Sequence, residues 1–144
     1  MKQSVMRVYS TSQVSKMEAK GLAFMPNSFH LILEKECNKM MANLKLDELP
    51  HNLRQKVIDK IFASYKVVVA TCGSVSDSGN IAKRAWPRVL IDEATMVTEE
   101  DSLMATKSAK QLVLIGDQKQ LGPTFDSRHV GPSSLFTRLI ELGH

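Results

Sequence analysis

The stretch whose reading decides the fold runs from Arg88 to Pro123: RVLIDEATMVTEEDSLMATKSAKQLVLIGDQKQLGP. It reads as strand, turn, helix, strand, turn. Val89 to Ile91 and Gln111 to Ile115 are short apolar runs without polar alternation. That pattern marks strands buried on both faces, as in a parallel sheet. Each run ends in acids, Asp92-Glu93 after the first and Asp117 after the second. Carboxylates there point into the crevice off the carboxyl ends of the strands, where open α/β sheets bind ligands. Between the strands, Thr98 opens a helix. Thr98-Glu99-Glu100-Asp101 resembles a capping box, with Asp in place of the better Glu at its third position. Acids also favour a helix N-terminus electrostatically. Glu99, Glu100 and Asp101 therefore have a structural explanation and are not assigned to chemistry.

Upstream, Val67 to Thr71 (VVVAT) is a third apolar run without alternation, again predicting a strand buried on both faces. CGSVSDSGN follows and reads as a loop at the carboxyl end of that strand. Such loops often carry function, and a plain surface turn is the competing reading. Val5 to Tyr9 (VMRVY) predicts a first short strand, and Ser10 to Pro26 a polar connection. Asn27 or Ser28 caps a helix from Phe29 to Leu44, in which Met40 and Met41 fill core space. A second helix runs from about Leu53 to Tyr65. Val57, Ile58, Ile61, Phe62 and Tyr65 form its apolar stripe, and Arg54, Lys56, Asp59 and Lys60 its solvated face. Lys83, Arg84 and Arg88, around the only Trp, make a basic patch that reads as solvated surface ahead of a phosphate contact. Downstream, Thr124 to Gly131 reads as a loop with His129 on its surface. Ser133 or Ser134 caps a last helix, and Gly143 stands where a C-cap glycine is expected.

Strands alternating with helices predict an α/β fold, a parallel sheet with flanking helices. The predicted organisation is an N-terminal part, 1–66, with a short strand and helices, followed by 67–144 with the acid-ended strands. Composition agrees with a domain that has its own core: 144 residues, 43% hydrophobic and 24% charged. The formal net charge of +4 is compatible with a nucleic-acid partner without establishing one. Cys37 and Cys72 stand far apart and form no CxxC pair, which argues against a zinc site or a disulfide scaffold. No apolar run reaches the roughly 18 residues of a membrane span. The N-terminus lacks an apolar signal core, so the expected location is intracellular, cytoplasmic or nuclear.

Hydrolysis of a nucleotide γ-phosphate needs a phosphate cradle, a metal, a group that orients water, and cations at the transition state. A strand-end carboxylate such as Asp92 suits Mg²⁺, held directly or through water. Glu93, one residue on, can reach the attacking water. Gln120, in the turn after the neighbouring strand, can hydrogen-bond the γ-phosphate and register its loss.

VLIDEAT followed by LVLIGDQKQLGP resembles motifs II and III of superfamily 1 helicases. The likeness is to the branch containing the nonsense-mediated mRNA decay helicase and the senataxin-like helicases, with their AAA-type core. It extends through VVVATCGSVSD and SSLFTRLIELG and covers 67–143; VMRVYS resembles the strand before the family's helical insertion. The resemblance implies a partial P-loop NTPase (RecA-like) motor domain, with ATP and Mg²⁺ as cofactors and single-stranded nucleic acid, RNA rather than DNA, as partner. It implies that Asp92 serves the metal, Glu93 the water and Gln120 the γ-phosphate, with Gly116 and Asp117 shaping the last turn. It also implies that Thr71 and the segment after it, with Gly73 and Ser74, touch the nucleic-acid backbone.

The 144 residues contain no GxxxxGKS or GxxxxGKT, so the phosphate cradle and its Lys are not among them. The expectation is a fragment of an ATP-dependent helicase, inactive by itself. The alternative is a non-catalytic nucleic-acid-binding or interaction module derived from one.

Overall fold

The computed structural model describes residues 5–123 and 134–144. Expectations for Thr124 to Gly131, His129 and Ser133 fall outside the described residues. The fold is α/β, and the chain divides into two compact units, Met1–Ser74 and Val75–His144.

In the first unit, β1 (Val5–Arg7) pairs in parallel with β2 (Val67–Val69), in the register Val5 to Val67, Met6 to Val68 and Arg7 to Val69. The outer edge of β1 is met by the backbone before the next long helix: the Arg7 N–H donates to the Asn27 carbonyl at 3.1 Å. That helix, α2 (Phe29–Leu44), packs on α3 (His51–Ser64). Of the stripe predicted for α3, Val57, Ile58, Ile61 and Phe62 are buried, as are Leu33 and Cys37 of α2, whereas Tyr65, at the helix end, is half-buried. The rings of Phe29 and Phe62 meet at 5.2 Å between centroids, within the range of favourable aromatic pairs. Ser28 occupies the predicted N-cap position of α2, but its side chain makes no cap bond.

Two segments read as loops are helical. Thr11–Ala19, inside the expected polar connection, forms α1. The cause is a full capping box: the Ser10 hydroxyl accepts from the Gln13 N–H, and the Gln13 side chain accepts from the Ser10 N–H. α1 buries no residue, so it left no apolar stripe in the sequence. The segment after β2 forms α4 (Cys72–Asp77) and α5 (Gly79–Ala82). Thr71 starts α4, its hydroxyl accepting the Ser74 N–H at 3.2 Å.

In the second unit, β3 (Val89–Ile91) pairs in parallel with β4 (Leu112–Leu114), so the strands among the described residues form two parallel pairs. A 3-10 turn (Ala94–Met96) and α6 (Glu99–Thr106) connect them, and α7 (Leu135–Glu141) packs on both. Thr98 caps α6 as expected, accepting the Asp101 N–H at 3.2 Å. α7 ends on Gly143, whose φ of +82° allows the Gly143 and His144 N–H groups to close onto Ile140 and Leu139.

The strands are not buried on both faces. Val67, Val69 and Leu90 are 46%, 44% and 56% exposed, whereas Met6 and Ile91 are 0% and 5%. In a two-stranded sheet the chain's own helices cover one face, and alternate residues of an otherwise apolar run face outward.

Candidate functional site

The second unit brings the acid-ended turns side by side. Its backbone bonding continues past the strands, and Ile115, one residue after β4, is the joint. The Ile115 N–H donates to the Ile91 carbonyl at 2.9 Å, and the Ile115 carbonyl accepts from the Ala94 N–H at 2.8 Å. Asp92 and Glu93 are therefore pinned on both sides by one residue of the neighbouring strand. Gly116, which opens the second turn, is the next residue after that joint.

The first turn is strained. Glu93 has φ 52° and ψ 40°, the left-handed region, which costs a non-glycine residue roughly 1–2 kcal/mol. Its N–H donates to the Asp92 Oδ1 at 3.0 Å. Ala94 and Thr95, directly after it, are buried, while Asp92 and Glu93 are exposed. The backbone thus dips into the core immediately after lifting two carboxylates out of it.

The second turn is built by Asp117. Its Oδ1 accepts from the Lys119 N–H at 2.9 Å, and its carbonyl accepts from the Gln120 N–H at 3.0 Å. An Asx-turn nested in a β-turn fixes this backbone and leaves the Gln120 side chain exposed, with no hydrogen-bond partner among the described residues. Gly116 is required by space. A Cβ there would lie 3.1 Å from the Thr95 amide nitrogen, 3.2 Å from Thr95 Cγ2 and 3.4 Å from the Ala94 nitrogen.

Mg²⁺ fits this donor set. Among the described residues there is no cluster of three or more His, Cys, Asp or Glu able to cage a metal. Mg²⁺ keeps most of its waters and is usually held by one or two carboxylates together with substrate phosphates. Asp92 offers one free oxygen, Oδ2, since Oδ1 is engaged by the Glu93 N–H.

Thr71, Gly73 and Ser74 belong to the first unit. Thr71 is exposed and a Cβ on Gly73 would meet nothing within 4 Å, so both are accessible. Ser74 is 1% exposed; its hydroxyl lies 2.7 Å from the Thr71 hydroxyl and donates to Gln13 Oε1 at 3.5 Å. It supports this segment from beneath. Of the basic patch, Arg84 donates from Nε to the Asn80 carbonyl and Arg88 from Nε to Gln111 Oε1, each at 2.9 Å. Trp86 donates from Nε1 to the Ile81 carbonyl at 3.1 Å. A cavity of about 440 Å³ also belongs to the first unit, along α2 and the connection to α3, lined by Leu33, Cys37, Met41, Asp47, Leu49 and Arg54 among others.

Thr95 was not legible as a site residue. It is an uncharged position after two acids, and its importance comes from the approach of Gly116 across the sheet.

A family model described as an AAA domain matches residues 25–128, most of the chain. The chain belongs to that family. With it comes a P-loop NTPase helicase fold, of the superfamily 1 kind found in the regulators of nonsense transcripts. The chain is 37% identical over 97 residues to the regulator of nonsense transcripts 1 of Dictyostelium discoideum, a match spanning 64% of this chain and 7% of that protein. It is 39% identical over 97 residues to the ATP-dependent helicase NAM7 of Saccharomyces cerevisiae, spanning 64% of this chain and 10% of that protein. It is 30% identical over 106 residues to an uncharacterized ATP-dependent helicase of Methanocaldococcus jannaschii, spanning 71% of this chain and 16% of that one. The chain therefore spans a small part of the relatives it matches. No helix among the described residues is long and apolar enough to cross a membrane.

Proposed function

We propose that the chain supplies the hydrolysis edge of an ATP-dependent nucleic-acid helicase acting on single-stranded RNA. The observation that carries this reading is the Ile115 joint, which holds the Asp92-Glu93 turn beside the Gly116–Gln120 turn. In this reading Asp92 Oδ2 holds Mg²⁺, directly or through its waters. When bound, the ion neutralises charge on the β- and γ-phosphate oxygens. Glu93 orients and deprotonates the attacking water, and its left-handed backbone projects the carboxylate out of the buried turn. Gln120 hydrogen-bonds the γ-phosphate, so its loss on hydrolysis is felt in a turn whose shape Asp117 sets.

Thr71 and Gly73 contact the nucleic-acid backbone, and Ser74 holds that segment in place through Gln13. The proposed organisation is 1–66 as an N-terminal part with a short strand and a helical insertion, and 67–144 as the C-terminal half of the first motor domain. Two facts support the reading: the family match and the helicase names carried by the relatives.

The test is a Glu93→Gln substitution in a polypeptide that contains this chain together with a phosphate-cradling loop. RNA-stimulated turnover should be abolished while ATP binding persists. Unchanged turnover would remove Glu93 from the mechanism. No turnover in the unsubstituted polypeptide would favour a non-catalytic nucleic-acid-binding module.

A further inference from the structure

Three partly exposed rings of the first unit follow one another in contact. Tyr9 meets Phe24 at 6.0 Å between centroids, and Phe24 meets His30 at 5.1 Å. Arg7 places its guanidinium carbon 5.6 Å from the Tyr9 ring centroid. Glu18 lies 3.3 Å from His30 Nε2, at that ring's edge. A row of rings inside a core would be explained by packing alone. Here all three rings keep solvent contact and Arg7 is exposed, so the ladder lies at the surface.

The sheet register places this ladder. β1 and β2 run parallel with Arg7 opposite Val69. The last bond of this sheet ladder runs from the Val8 N–H to the Val69 carbonyl at 2.8 Å, and Tyr9 and Thr71 follow just beyond the two strands, at the same end of the sheet. Paired residues of a sheet share a face, and alternate residues along a strand return to it. Arg7 and Val69 therefore lie on one face, and Arg7, Val69 and Thr71 are exposed. One end of the sheet thus carries a cation, a run of π-faces and the proposed backbone-contacting threonine.

We propose that Tyr9, Phe24 and His30 form a base-stacking platform for single-stranded nucleic acid, with Arg7 contacting the phosphate beside the first stacked base. The platform rests on the nucleic-acid reading above and extends it to residues outside the Thr71–Ser74 segment. Unpaired bases stack on aromatic side chains regardless of sequence, and an adjacent cation meets the backbone. Arg7 supplies charge complementarity to phosphate. Glu18 opposes it, so it tunes the site against tight binding.

The test is fluorescence anisotropy of the 144-residue chain with a labelled single-stranded oligouridylate, and with a blunt RNA duplex for comparison. Phe24→Leu and Tyr9→Leu keep apolar volume and remove the π-face. Each should weaken single-strand binding at least about fivefold, the low end of one lost stacking contact. Arg7→Gln should weaken it and flatten its salt dependence. Glu18→Gln should tighten it, and duplex binding should not respond to either Leu variant. Circular dichroism identifies any variant that has not folded, and Arg7→Gln and Glu18→Gln, both at exposed positions, then carry the test. Single-strand binding that is insensitive to all four substitutions overturns the platform and leaves the Thr71 segment as the interface. Absence of binding by the unsubstituted chain overturns both.

Discussion

Gly116 stands so close to Thr95 that a Cβ on the glycine would lie 3.1 Å from the threonine's amide nitrogen. The neighbour is backbone, and it cannot swing away as a flexible side chain would. The adjacent amide, Ala94 N–H, is held by the Ile115 carbonyl at 2.8 Å. Gly116→Ala should therefore push the two turns apart and destabilise the fold by about 1–3 kcal/mol, the cost of overpacking a tight site. Denaturant titration measures this. Thr95→Ser removes the Cγ2 conflict but not the conflict with the amide nitrogen. The double variant should recover only part of the loss, and full additivity would show that the two positions do not communicate.

Thr95 also carries a removable cost. Its Oγ1 is buried without a hydrogen-bond partner among the described residues. Thr95→Val keeps the shape and deletes the hydroxyl, and should stabilise the chain by about 1 kcal/mol, the lower range for an unsatisfied buried polar group. The melting temperature reports it. A lower melting temperature would mean that the hydroxyl has a partner in solution.

Arg138 of α7 grips Glu99 of α6 through two atoms. Its Nε donates to Oε1 and Oε2 at 2.9 and 3.0 Å, and a terminal nitrogen lies 2.6 Å from Oε1. The hydrogen bond to Glu99, and then its charge, hold the guanidinium above its ordinary pKa. A raised value in the folded state means that this contribution is complete at neutral pH and is lost only as pH climbs through the strongly alkaline range. Arg138→Lys should lower the melting temperature despite keeping the charge, because an ammonium cannot make the fork. The loss should shrink as salt is added.

Local chemistry decided how much of this was legible in the sequence. Val89–Ile91 and the bounds of α2 were readable from composition and apolar spacing, and the start of α6 from its Thr98 cap, because these signals act within a few residues. α1 carried its Ser10–Gln13 signature openly but lacks a buried face, so the apolar periodicity that usually reveals a helix was missing. α4 is spelled CGSVSD, a composition that favours turns, and it forms with Thr71 capping its first turn. The acids were legible because a strand end is local. The Gly116–Thr95 approach was not, because it depends on two strands meeting in register. The left-handed backbone of Glu93 was not legible either, since Glu has no preference for that region.

Tyr65, at the end of α3, has a phenol pKa raised above its ordinary value, first by burial and then by the nearby charge of Glu36. A raised value favours the protonated form in the fold. The resulting stability is present below the ordinary phenol range and is lost as pH rises through the folded-state value. Glu36→Gln should bring the Tyr65 titration only part of the way back, because burial is the larger cause. Absorbance titration of the tyrosines, with a Tyr9→Phe background to isolate Tyr65, follows it.

Glu93 tests whether stability has been given up for position. Its φ of 52° is strained for any side chain, and nothing in the fold's packing calls for a carboxylate there, since the side chain is exposed. Glu93→Gln retains the strain and removes the charge, so its unfolding free energy should match the parent within about 0.5 kcal/mol, as for other surface substitutions. Glu93→Gly relieves the strain, worth roughly 1–2 kcal/mol, and gives back about 0.4–1 kcal/mol through a more flexible unfolded chain. The glycine variant should therefore come out level with the parent or more stable. Denaturant midpoints of the three chains decide the matter. If Glu93→Gly is clearly the least stable, the left-handed turn is not strained in solution, and the account of how the backbone lifts the carboxylate fails with it. If the order holds, a residue at a functional edge is kept in an unfavourable conformation against the fold's own preference, as expected where geometry serves chemistry.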